Sequence, residues 1–283
     1  MNVDHIKTVG IAGAGTMGQG IAQVCAQSGF DVLLYDVQTE ATKKGIVAIG
    51  AALQKNVDKG KLTDDLRAST LSRIKVCEHV DQLKANLVIE AVVERLDVKI
   101  DLFKAIEKNN AESILTTNTS SIPVTQIASG ITRPTQFAGL HFFNPAPVMK
   151  LVEVIQGVET SSEVIEVLKA FSGNLGKTPV VAKDSPGFIV NRVARHYYVE
   201  ALKMLEENTA DVKTIDQLLK ASGFKMGSFE LMDLIGLDVN FSVTTSMFNA
   251  FHQDSKFRPS RIQQQKVDAG HWGVKRGKGF YNY

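Results

Sequence analysis

Apolar positions follow two different spacings along the chain up to about residue 183. Continuous apolar runs of about five to seven residues predict buried strands, and the stretches between them have apolar positions at helical spacing. The strands are predicted at 7–15, including the tight turn that ends this segment, and at 31–36, 74–77, 86–92, 113–118, 137–143, 150–157 and 178–183. The helices are predicted at 16–29, 39–60, 96–109 and 161–175. This alternation predicts an α/β fold of Rossmann type, with a mainly parallel sheet and helices on both of its faces.

The pattern changes at Pro186 and Gly187, a pair of residues that favours a turn. Beyond this point no segment has a convincing strand pattern. Helical spacing predicts helices at 187–208, 211–222, 236–252 and about 258–269. We therefore predict two domains: residues 1–185 form the α/β domain, and residues 186–283 form a smaller all-α domain.

Composition and charge narrow the classes of function. The 32 basic and 30 acidic residues give a net charge of +2, too near balance for a protein that binds nucleic acid through phosphate contacts. No apolar run approaches the length of a membrane span, and the N-terminus lacks a signal-peptide pattern. Two cysteines, Cys25 and Cys77, form no disulfide framework and have no zinc-ligand spacing. We expect a cytoplasmic protein that binds neither nucleic acid nor a membrane.

A glycine-rich turn joins the first predicted strand to the first predicted helix. Its glycines are Gly13, Gly15 and Gly18, spaced as G-x-G-x-x-G. In this context Gly13 permits a tight turn, Gly15 lets the backbone approach a pyrophosphate, and Gly18 lets the helix pack closely on the strand. The phosphates would lie at the N–H groups of the helix N-terminus. The pattern predicts a dinucleotide site, although FAD-binding proteins have a similar turn.

Asp36 ends the second predicted strand, 18 residues after Gly18. A carboxylate at this position can accept both hydroxyl groups of an adenosine ribose, and it repels a 2′-phosphate. Asp36 therefore favours NAD as the cofactor and makes NADP less favourable. The alternative is a surface aspartate in an ordinary turn.

Seven motifs occur together, in the order and with the spacing of a known enzyme family. They are GAGTMGQGIA, VIEAVVE, TNTSS, HFFNP, DSPGFIVNR, FELMDLIGLDV and GKGFY. With them the chain resembles the short-chain L-3-hydroxyacyl-CoA dehydrogenases, and among these the bacterial 3-hydroxybutyryl-CoA dehydrogenases. The resemblance covers essentially the whole chain. It implies an NAD-dependent oxidoreductase that interconverts (S)-3-hydroxybutyryl-CoA and acetoacetyl-CoA.

The resemblance implies that four side chains carry the chemistry. His141 of the HFFNP motif is the implied general acid/base with Glu153 as its partner, and Ser120 and Asn191 are the implied substrate contacts. An imidazole suits proton transfer because its unperturbed pKa of about 6.5 lies near neutral pH. A carboxylate at the second ring nitrogen would fix the tautomer and stabilise the imidazolium. This arrangement requires the strands of His141 and Glu153 to be neighbours.

The resemblance also implies a set of binding residues. Cofactor contacts are implied for Gly13, Gly15, Thr16, Met17, Gly18, Asp36, Glu94, Lys99, Asn118, Ser120, Asn144 and Lys275. The CoA group of the substrate is expected to meet Ser120 and Lys59. Two positions depart from the family pattern. Ala52 replaces a serine that touches CoA in some members, and Ser228 replaces a proline, which favours a looser loop.

Each of these side chains also has a purely structural interpretation. A histidine at a strand end is commonly no more than a hydrogen-bonded residue, and Glu153 would then lie exposed on an edge strand. Ser120 would cap the helix that follows it. Asn191 would be a polar residue on a helix face, and Glu94 and Lys99 would form a solvated pair in a first helical turn.

The second predicted domain contains a cluster of apolar residues, namely Leu231, Met232, Leu234, Ile235 and Leu237. Such a cluster is either the core of the domain or a subunit interface. The resemblance implies a homodimer through this domain, and we expect it to be isologous. Two other functions remain open: a dehydrogenase of the same fold for a sugar acid such as gulonate, and a catalytically silent binding protein.

Overall fold

The computed structural model describes residues 2–283. The chain divides into two compact units, and the division falls between Ser185 and Pro186. The described part of the first unit contains eight strands, all of which coincide with predicted ones. Their bounds are β1 Thr8–Ala12, β2 Asp31–Tyr35, β3 Ile74–Cys77, β4 Leu87–Glu90, β5 Ile114–Thr117, β6 Phe137–Phe142, β7 Leu151–Gln156 and β8 Thr178–Lys183.

These strands form one sheet in the order β3-β2-β1-β4-β5-β6-β7-β8. Neighbouring strands run parallel, except that β6 and β7 are antiparallel. The predicted Rossmann-type, mainly parallel sheet is therefore confirmed. The direction in which successive strands are added reverses between β1 and β4. Ligands of such sheets bind beside this reversal, at the carboxyl ends of the strands.

Six helices occupy the connections in the described part of the first unit. They are α1 Thr16–Gln27, α2 Thr39–Asp58, α3 Asp64–Ser72, α4 Leu96–Glu107, α5 Val124–Ala128 and α6 Ser162–Asn174. Helix α3 is absent from the sequence predictions. It buries only Thr70, so it has no apolar stripe, and its start is set by the Thr63 hydroxyl, which accepts a hydrogen bond from the N–H of Leu66 at 3.3 Å.

The core of the first unit surrounds the central strands. Strands β4, β5 and β6 are buried along their whole length. Helix α1 packs against β1 and β2, and α6 packs against β6, β7 and β8. The rings of Phe103 in α4 and Phe137 in β6 meet edge to face, with their centroids 4.9 Å apart. Burial on both faces explains why the apolar residues of these strands are not confined to alternate positions.

The second unit is helical. Its helices are α7 Val190–Glu206, α8 Val212–Ala221, α9 Ser228–Ile235, α10 Leu237–Ala250 and α11 Arg261–Asp268. Its described residues include isolated bridges near the C-terminus but no strand. Helix α9 was not predicted as a separate element. Gly236, whose φ of +103° is readily adopted only by glycine, separates it from α10. No helix within residues 2–283 is long and apolar enough to cross a bilayer.

The predicted apolar cluster of this unit divides into two parts. Met232 and Leu237 are fully buried in its core, and Leu231 packs against that core. Leu234 and Ile235 keep 57% and 41% of their surface exposed. The cluster therefore contributes to the core and also leaves an apolar surface uncovered within the unit.

Two buried aspartates hold the C-terminal GKGFY segment in place. Asp233 accepts hydrogen bonds from the N–H groups of Phe280 and Tyr281, both at 2.9 Å. Asp216 accepts one from the Tyr281 hydroxyl at 2.8 Å and one from the N–H of Phe229, in the first turn of α9, at 2.9 Å. The segment is thus tied to α8 and α9 by charge-assisted hydrogen bonds.

Ser228, the residue that replaces a proline of the family pattern, begins α9 and is fully buried. Its hydroxyl donates a hydrogen bond to the carbonyl oxygen of Tyr197 in α7 at 2.7 Å. This bond ties the start of α9 to α7, which argues against the looser loop expected from the loss of the proline.

Candidate active site

The glycine turn has the geometry that a dinucleotide phosphate requires. Gly13 has a φ of +110°, and a Cβ atom there would lie 2.6 Å from the carbonyl oxygen of Ala91. A Cβ atom on Gly18 would lie 1.8 Å from the carbonyl oxygen of Gly13, so α1 meets the turn too closely for any side chain. At Gly15 nothing lies within 4 Å of the Cβ position. The turn is closed at two glycines and open at the one expected to face a pyrophosphate.

Helix α1 begins directly at this opening. Gly15 is its N-cap residue, and no side chain caps the helix. Thr16 is exposed and Met17 is half-buried in its first turn. A cavity of about 570 Å³ lies beside the turn, and its lining includes Gly13, Gly15, Asp36, Ala91, Val92 and Leu102. An uncapped helix start beside a largely apolar cavity fits the phosphates and a flat ring of a dinucleotide.

Asp36 lies directly after β2 and lines this cavity. Its carboxylate accepts hydrogen bonds from the N–H of Ala14 at 2.8 Å and from the N–H of Gln38 at 2.9 Å. A carboxylate has about four lone-pair positions, so ribose hydroxyls can still be accepted. Asp36 is therefore more than a surface aspartate, because it holds the glycine turn in place.

His141 and Glu153 face each other across the antiparallel pair β6 and β7. They are directly opposite in the strand register, and His141 Nδ1 lies 2.8 Å from Glu153 Oε2. Both are buried, with 5% and 1% of their surface exposed. A buried carboxylate needs a hydrogen-bond donor as its partner. The Glu153 carboxylate therefore favours the His141 tautomer that carries a proton on Nδ1. β6 and β7 are neighbours in the sheet, as the predicted contact between His141 and Glu153 requires.

Asn118 fixes the strand end that carries His141. Its Oδ1 accepts a hydrogen bond from the N–H of Phe142 at 2.8 Å, and its own N–H donates to the carbonyl oxygen of Glu90 at 2.8 Å. These bonds join the carboxyl ends of β4, β5 and β6. The ring of Phe143 lies beside the imidazole, with centroids 4.5 Å apart. The position of His141 is therefore fixed by backbone hydrogen bonds at the strand end as well as by Glu153.

Glu94 gathers the TNTSS loop that follows β5. Its Oε1 accepts hydrogen bonds from the Thr119 hydroxyl at 2.6 Å and from the N–H groups of Ser120 and Ser121 at 2.9 Å and 3.0 Å. Its Oε2 lies 3.2 Å from Lys99 Nζ. One carboxylate therefore holds the loop on which the predicted substrate contact, Ser120, is carried.

Lys99 is buried between two carboxylates. Its side chain is 1% exposed, and Nζ lies 2.6 Å from Glu90 Oε1 as well as 3.2 Å from Glu94 Oε2. The interpretation of Glu94 and Lys99 as a solvated pair is therefore wrong for the lysine. This burial also disfavours a direct cofactor contact through the Lys99 ammonium.

The two glutamates around Lys99 have pKa shifts of opposite sign. Burial raises the pKa of the Glu90 carboxyl by more than the Lys99 charge and its hydrogen bonds lower it. Burial acts in the same direction on Glu94. There, however, the Lys99 charge and the hydrogen bonds from the TNTSS loop outweigh it and leave the pKa of Glu94 below its ordinary value.

Two structural interpretations are excluded by these contacts. Helix α5 is capped by Asp184, which accepts hydrogen bonds from the N–H groups of Val124 and Thr125 at 3.0 Å and 2.7 Å, so Ser120 is not its cap. Glu153 is not on an edge strand, because β7 lies between β6 and β8. Ser120 itself is half-buried.

Comparison with known families decides the classification. A family model described as 3-hydroxyacyl-CoA dehydrogenase, NAD binding domain, matches residues 8–185, and one described as 3-hydroxyacyl-CoA dehydrogenase, C-terminal domain, matches residues 187–283. The chain belongs to the 3-hydroxyacyl-CoA dehydrogenase family. Membership of this dehydrogenase family confirms the predicted class of enzyme, and the NAD-binding domain confirms the predicted cofactor, NAD.

Three members of the dehydrogenase family show how far the similarity extends. A 3-hydroxyadipyl-CoA dehydrogenase of Escherichia coli strain K12 is 50% identical, over 99% of this chain and 59% of its own length. A probable 3-hydroxybutyryl-CoA dehydrogenase of Bacillus subtilis strain 168 is 40% identical, over 99% and 98%. The crystal structure of (S)-3-hydroxybutyryl-CoA dehydrogenase from Ralstonia eutropha has a TM-score of 0.94 at 41% identity, over 98% and 99%. The chain thus spans little more than half of the first relative and nearly all of the other two.

Four residues implied by the dehydrogenase family make none of the contacts described above. Asn191 is half-buried in the first turn of α7, and Lys275 pairs with Asp238 at 2.7 Å, all within the second unit. Lys59 is exposed at the end of α2, and Asn144 is exposed after β6. Their roles in binding stay predictions.

Two residues with a clear part in the site architecture were missed from the sequence. Glu90 lies in the VIEAVVE motif, and Asp184 begins the DSPGFIVNR motif. The signal for Glu90 was a carboxylate inside an apolar run, which is costly unless it is paired. Asp184 resembled an ordinary turn residue, and no local pattern shows that it caps a helix 60 residues earlier in the chain.

Proposed function

We propose that the protein is an NAD-dependent enzyme that interconverts (S)-3-hydroxybutyryl-CoA and acetoacetyl-CoA. The observation that carries the proposal is the buried His141–Glu153 pair, near the carboxyl end of β6 in a dinucleotide-binding fold. Two of the relatives described above are named for 3-hydroxybutyryl-CoA, and this chain spans nearly their full length. Their names support the substrate class.

Oxidation of the 3-hydroxyl group removes a proton and a hydride. NAD, when bound, supplies the nicotinamide ring that accepts the hydride. Because Nδ1 of His141 is bonded to Glu153, proton exchange with the hydroxyl falls to Nε2. The Glu153 charge stabilises the imidazolium that forms, and in the reverse reaction the imidazolium returns its proton. General base catalysis of this kind contributes roughly 10² to 10⁴ in rate.

Substrate alignment is assigned to Ser120 and Asn191. A hydroxyl and an amide can each donate a hydrogen bond to the 3-oxygen or to the thioester carbonyl. Ser120 is carried by the loop that Glu94 holds, so its backbone is fixed before substrate arrives. Holding the reacting atoms in the right geometry is the larger part of what such residues contribute.

Cofactor binding is assigned mainly to the glycine turn and Asp36. The turn from Gly13 to Gly18 offers an uncapped helix start to the pyrophosphate. Asp36 faces the ribose and repels a 2′-phosphate, so NAD is favoured over NADP. Glu94, Asn118 and Asn144 complete the proposed contacts on the nicotinamide side.

The acyl group has a second candidate. The relative with 50% identity is named for 3-hydroxyadipyl-CoA, whose acyl chain is longer and ends in a carboxylate. Lys59 is an exposed cation at the end of α2, which suits a phosphate of CoA in either substrate.

The decisive experiment is NADH oxidation by the purified protein with acetoacetyl-CoA, followed by absorbance. We expect turnover with acetoacetyl-CoA and none with free hydroxy acids such as gulonate in the oxidative direction. A parallel assay with 3-oxoadipyl-CoA ranks the two acyl groups by kcat/KM. If no substrate is turned over although NADH binds, the protein is a silent binding protein and the proposal fails.

We also propose that the protein is a homodimer joined through the second unit. Leu234, Ile235 and Val239 are 57%, 41% and 46% exposed within that unit. An apolar surface of this kind is commonly covered by a subunit.

A cytoplasmic location is supported by Cys25 and Cys77, which are buried as free thiols.

A further inference from the structure

A buried carboxylate ends strand β4 next to the site. Glu90 is fully buried, and its Oε1 accepts hydrogen bonds from the N–H of Val92 at 2.7 Å and from Lys99 Nζ at 2.6 Å. Its Oε2 accepts one from the Thr117 hydroxyl at 2.7 Å. Each of these partners is a donor, so the three contacts favour the carboxylate form of Glu90 and act against the effect of burial.

Lys99 extends this contact to the TNTSS loop. The same ammonium group lies 3.2 Å from Glu94 Oε2, while Glu94 Oε1 holds the N–H of Ser120 at 2.9 Å. At 1% exposure, Lys99 has no access to water, and within residues 2–283 its ion pairs are with Glu90 and Glu94 alone. The position of Glu94 therefore depends on how Lys99 is shared between two carboxylates.

We propose that Glu90 is a positioning residue for the reaction, because through Lys99 it sets the place of Glu94 and hence of Ser120. The inference rests on the proposed function, in which Ser120 aligns the substrate. If Glu90 loses its charge, the buried ammonium retains Glu94 as its charged partner. The attraction between them strengthens in a water-poor environment and draws Glu94 away from the loop.

The test uses two variants and one matched control. Glu90→Gln keeps the shape and removes the charge, while the double variant Glu90→Gln/Lys99→Met removes both charges of the pair. The control is Glu107→Gln. Glu107 is a 7% exposed glutamate of α4 that holds a different loop by accepting hydrogen bonds from the N–H groups of Thr132 and Arg133 at 3.0 Å and 3.1 Å.

Three quantities are measured on each purified variant. They are kcat at saturating NADH and acetoacetyl-CoA, the kinetic isotope effect with NADH deuterated at the transferred position, and the thermal unfolding midpoint. Saturation with both reactants makes kcat independent of changes in their affinity. The isotope effect reports whether hydride transfer has become slower, which a loss of stability alone does not cause.

We expect Glu90→Gln to lower kcat by roughly 10-fold to 100-fold and to raise the isotope effect, because a displaced Ser120 misaligns the reactants. The unfolding midpoint should also fall, because Lys99 loses a counter-charge. The double variant recovers the midpoint because no buried charge is left unpaired. Its kcat stays low because Glu94 now loses its contact with Lys99, which helps to fix its position. Glu107→Gln loses stability and keeps kcat within about twofold of the parent, because its loop is not the one that aligns the substrate.

A kcat within about threefold of the parent in either Glu90 variant would overturn the inference, and so would a kcat that recovers together with the midpoint in the double variant. Failure of the proposed function has a different signature. In that case the parent protein does not turn over acetoacetyl-CoA, or His141→Ala retains the activity of the parent.

Discussion

Glu153 lies directly opposite His141 across the antiparallel strands β6 and β7, and their side chains meet at 2.8 Å. Residues opposite one another in such a pair bring their Cβ atoms to about 5 Å, within reach of a hydrogen bond between an imidazole and a carboxylate. Both side chains are also buried, with 5% and 1% of their surface exposed. The strand register therefore creates the acid–base pair, and the packing around it shields the pair from water.

The first prediction concerns this pair. We expect His141→Ala to lower kcat with acetoacetyl-CoA by roughly 10² to 10⁴, because the proton then lacks its acceptor or donor. Affinity for NADH should be retained, since the glycine turn does not touch His141. Steady-state kinetics and a fluorescence titration with NADH check the two parts. Near-normal turnover would remove the general acid/base role.

Glu153→Gln probes the charge behind the imidazole, and it should lower kcat by about 10-fold or more, since the neutral amide cannot stabilise the imidazolium. A variant with normal kcat across the pH range would show that Glu153 serves only the architecture. Far-ultraviolet circular dichroism of the same preparations checks that the fold is retained.

The second prediction contrasts two helical glycines. Gly18→Ala should abolish NADH binding or unfold the first unit, because its Cβ atom would lie 1.8 Å from the carbonyl oxygen of Gly13. Gly173→Ala in α6 is the control. Nothing lies within 4 Å of its Cβ position, and alanine is more favourable than glycine inside a helix by about 1 kcal/mol. Titration with NADH and thermal unfolding of both variants measure the contrast, and tight binding by Gly18→Ala would contradict it.

The third prediction concerns the dependence of stability on pH. The Lys99 charge and the hydrogen bonds of the loop outweigh the effect of burial on Glu94 and hold its pKa below the ordinary value of 4.5. Its ionised form therefore stabilises the folded state fully above that value, and the contribution is lost as the pH falls through the folded pKa.

Accordingly, the difference in free energy of unfolding between the parent and Glu94→Gln should be constant near neutral pH and narrow below about pH 4.5. Urea unfolding at a series of pH values measures it. Glu112→Gln, at an exposed position of the same unit, serves as the control. A difference that stays constant or widens in acid would contradict the prediction.

The fourth prediction concerns cofactor choice. Asp36→Asn should reduce the preference for NADH over NADPH by roughly 10-fold or more, because the charge that repels a 2′-phosphate is removed. The asparagine oxygen can still accept the hydrogen bond from Ala14 that holds the glycine turn, although the bond that Asp36 accepts from Gln38 is lost. The ratio of kcat/KM for the two cofactors measures the change, and an unaltered ratio would assign the discrimination to other residues.

The fifth prediction concerns assembly. The parent should elute with twice the chain mass of 30.9 kDa in size-exclusion chromatography with light scattering. Leu234→Lys should shift the mass to that of one chain, since it introduces a charge into the proposed apolar contact. Leu66→Lys is the control, because Leu66 is 55% exposed on α3 of the first unit. A parent protein with the mass of one chain would refute the dimer.

The fold was predictable where the local pattern and burial agree. Strands β4, β5 and β6 are buried along their whole length, and consecutive apolar residues within each of them predicted a strand. Helix α3 was not predictable in this way, because it lies on the surface and has no apolar stripe. Helix α9 was missed because its boundary depends on a single glycine conformation at Gly236.

The candidate site was predictable in its motifs and only partly in its contacts. The spacing of the three glycines and Asp36 indicated the dinucleotide site, since each glycine is needed for a local reason. The contact of His141 with Glu153 could be predicted only on the condition that β6 and β7 are neighbours in the sheet. The interpretation of Lys99 as a solvated residue was wrong, because its burial follows from the packing of α4 against the rest of the unit.

The sequence by itself determined the α/β class, the glycine turn and the set of motifs, because these depend on residues close together in the chain. Only the tertiary structure decided which carboxylates are paired and which loops they hold. Thr117 reaches Glu90 across 27 residues, and the helix start at Val124 meets Asp184 across 60. Contacts of that kind arise when strands and helices pack side by side, and no periodicity along the chain encodes them.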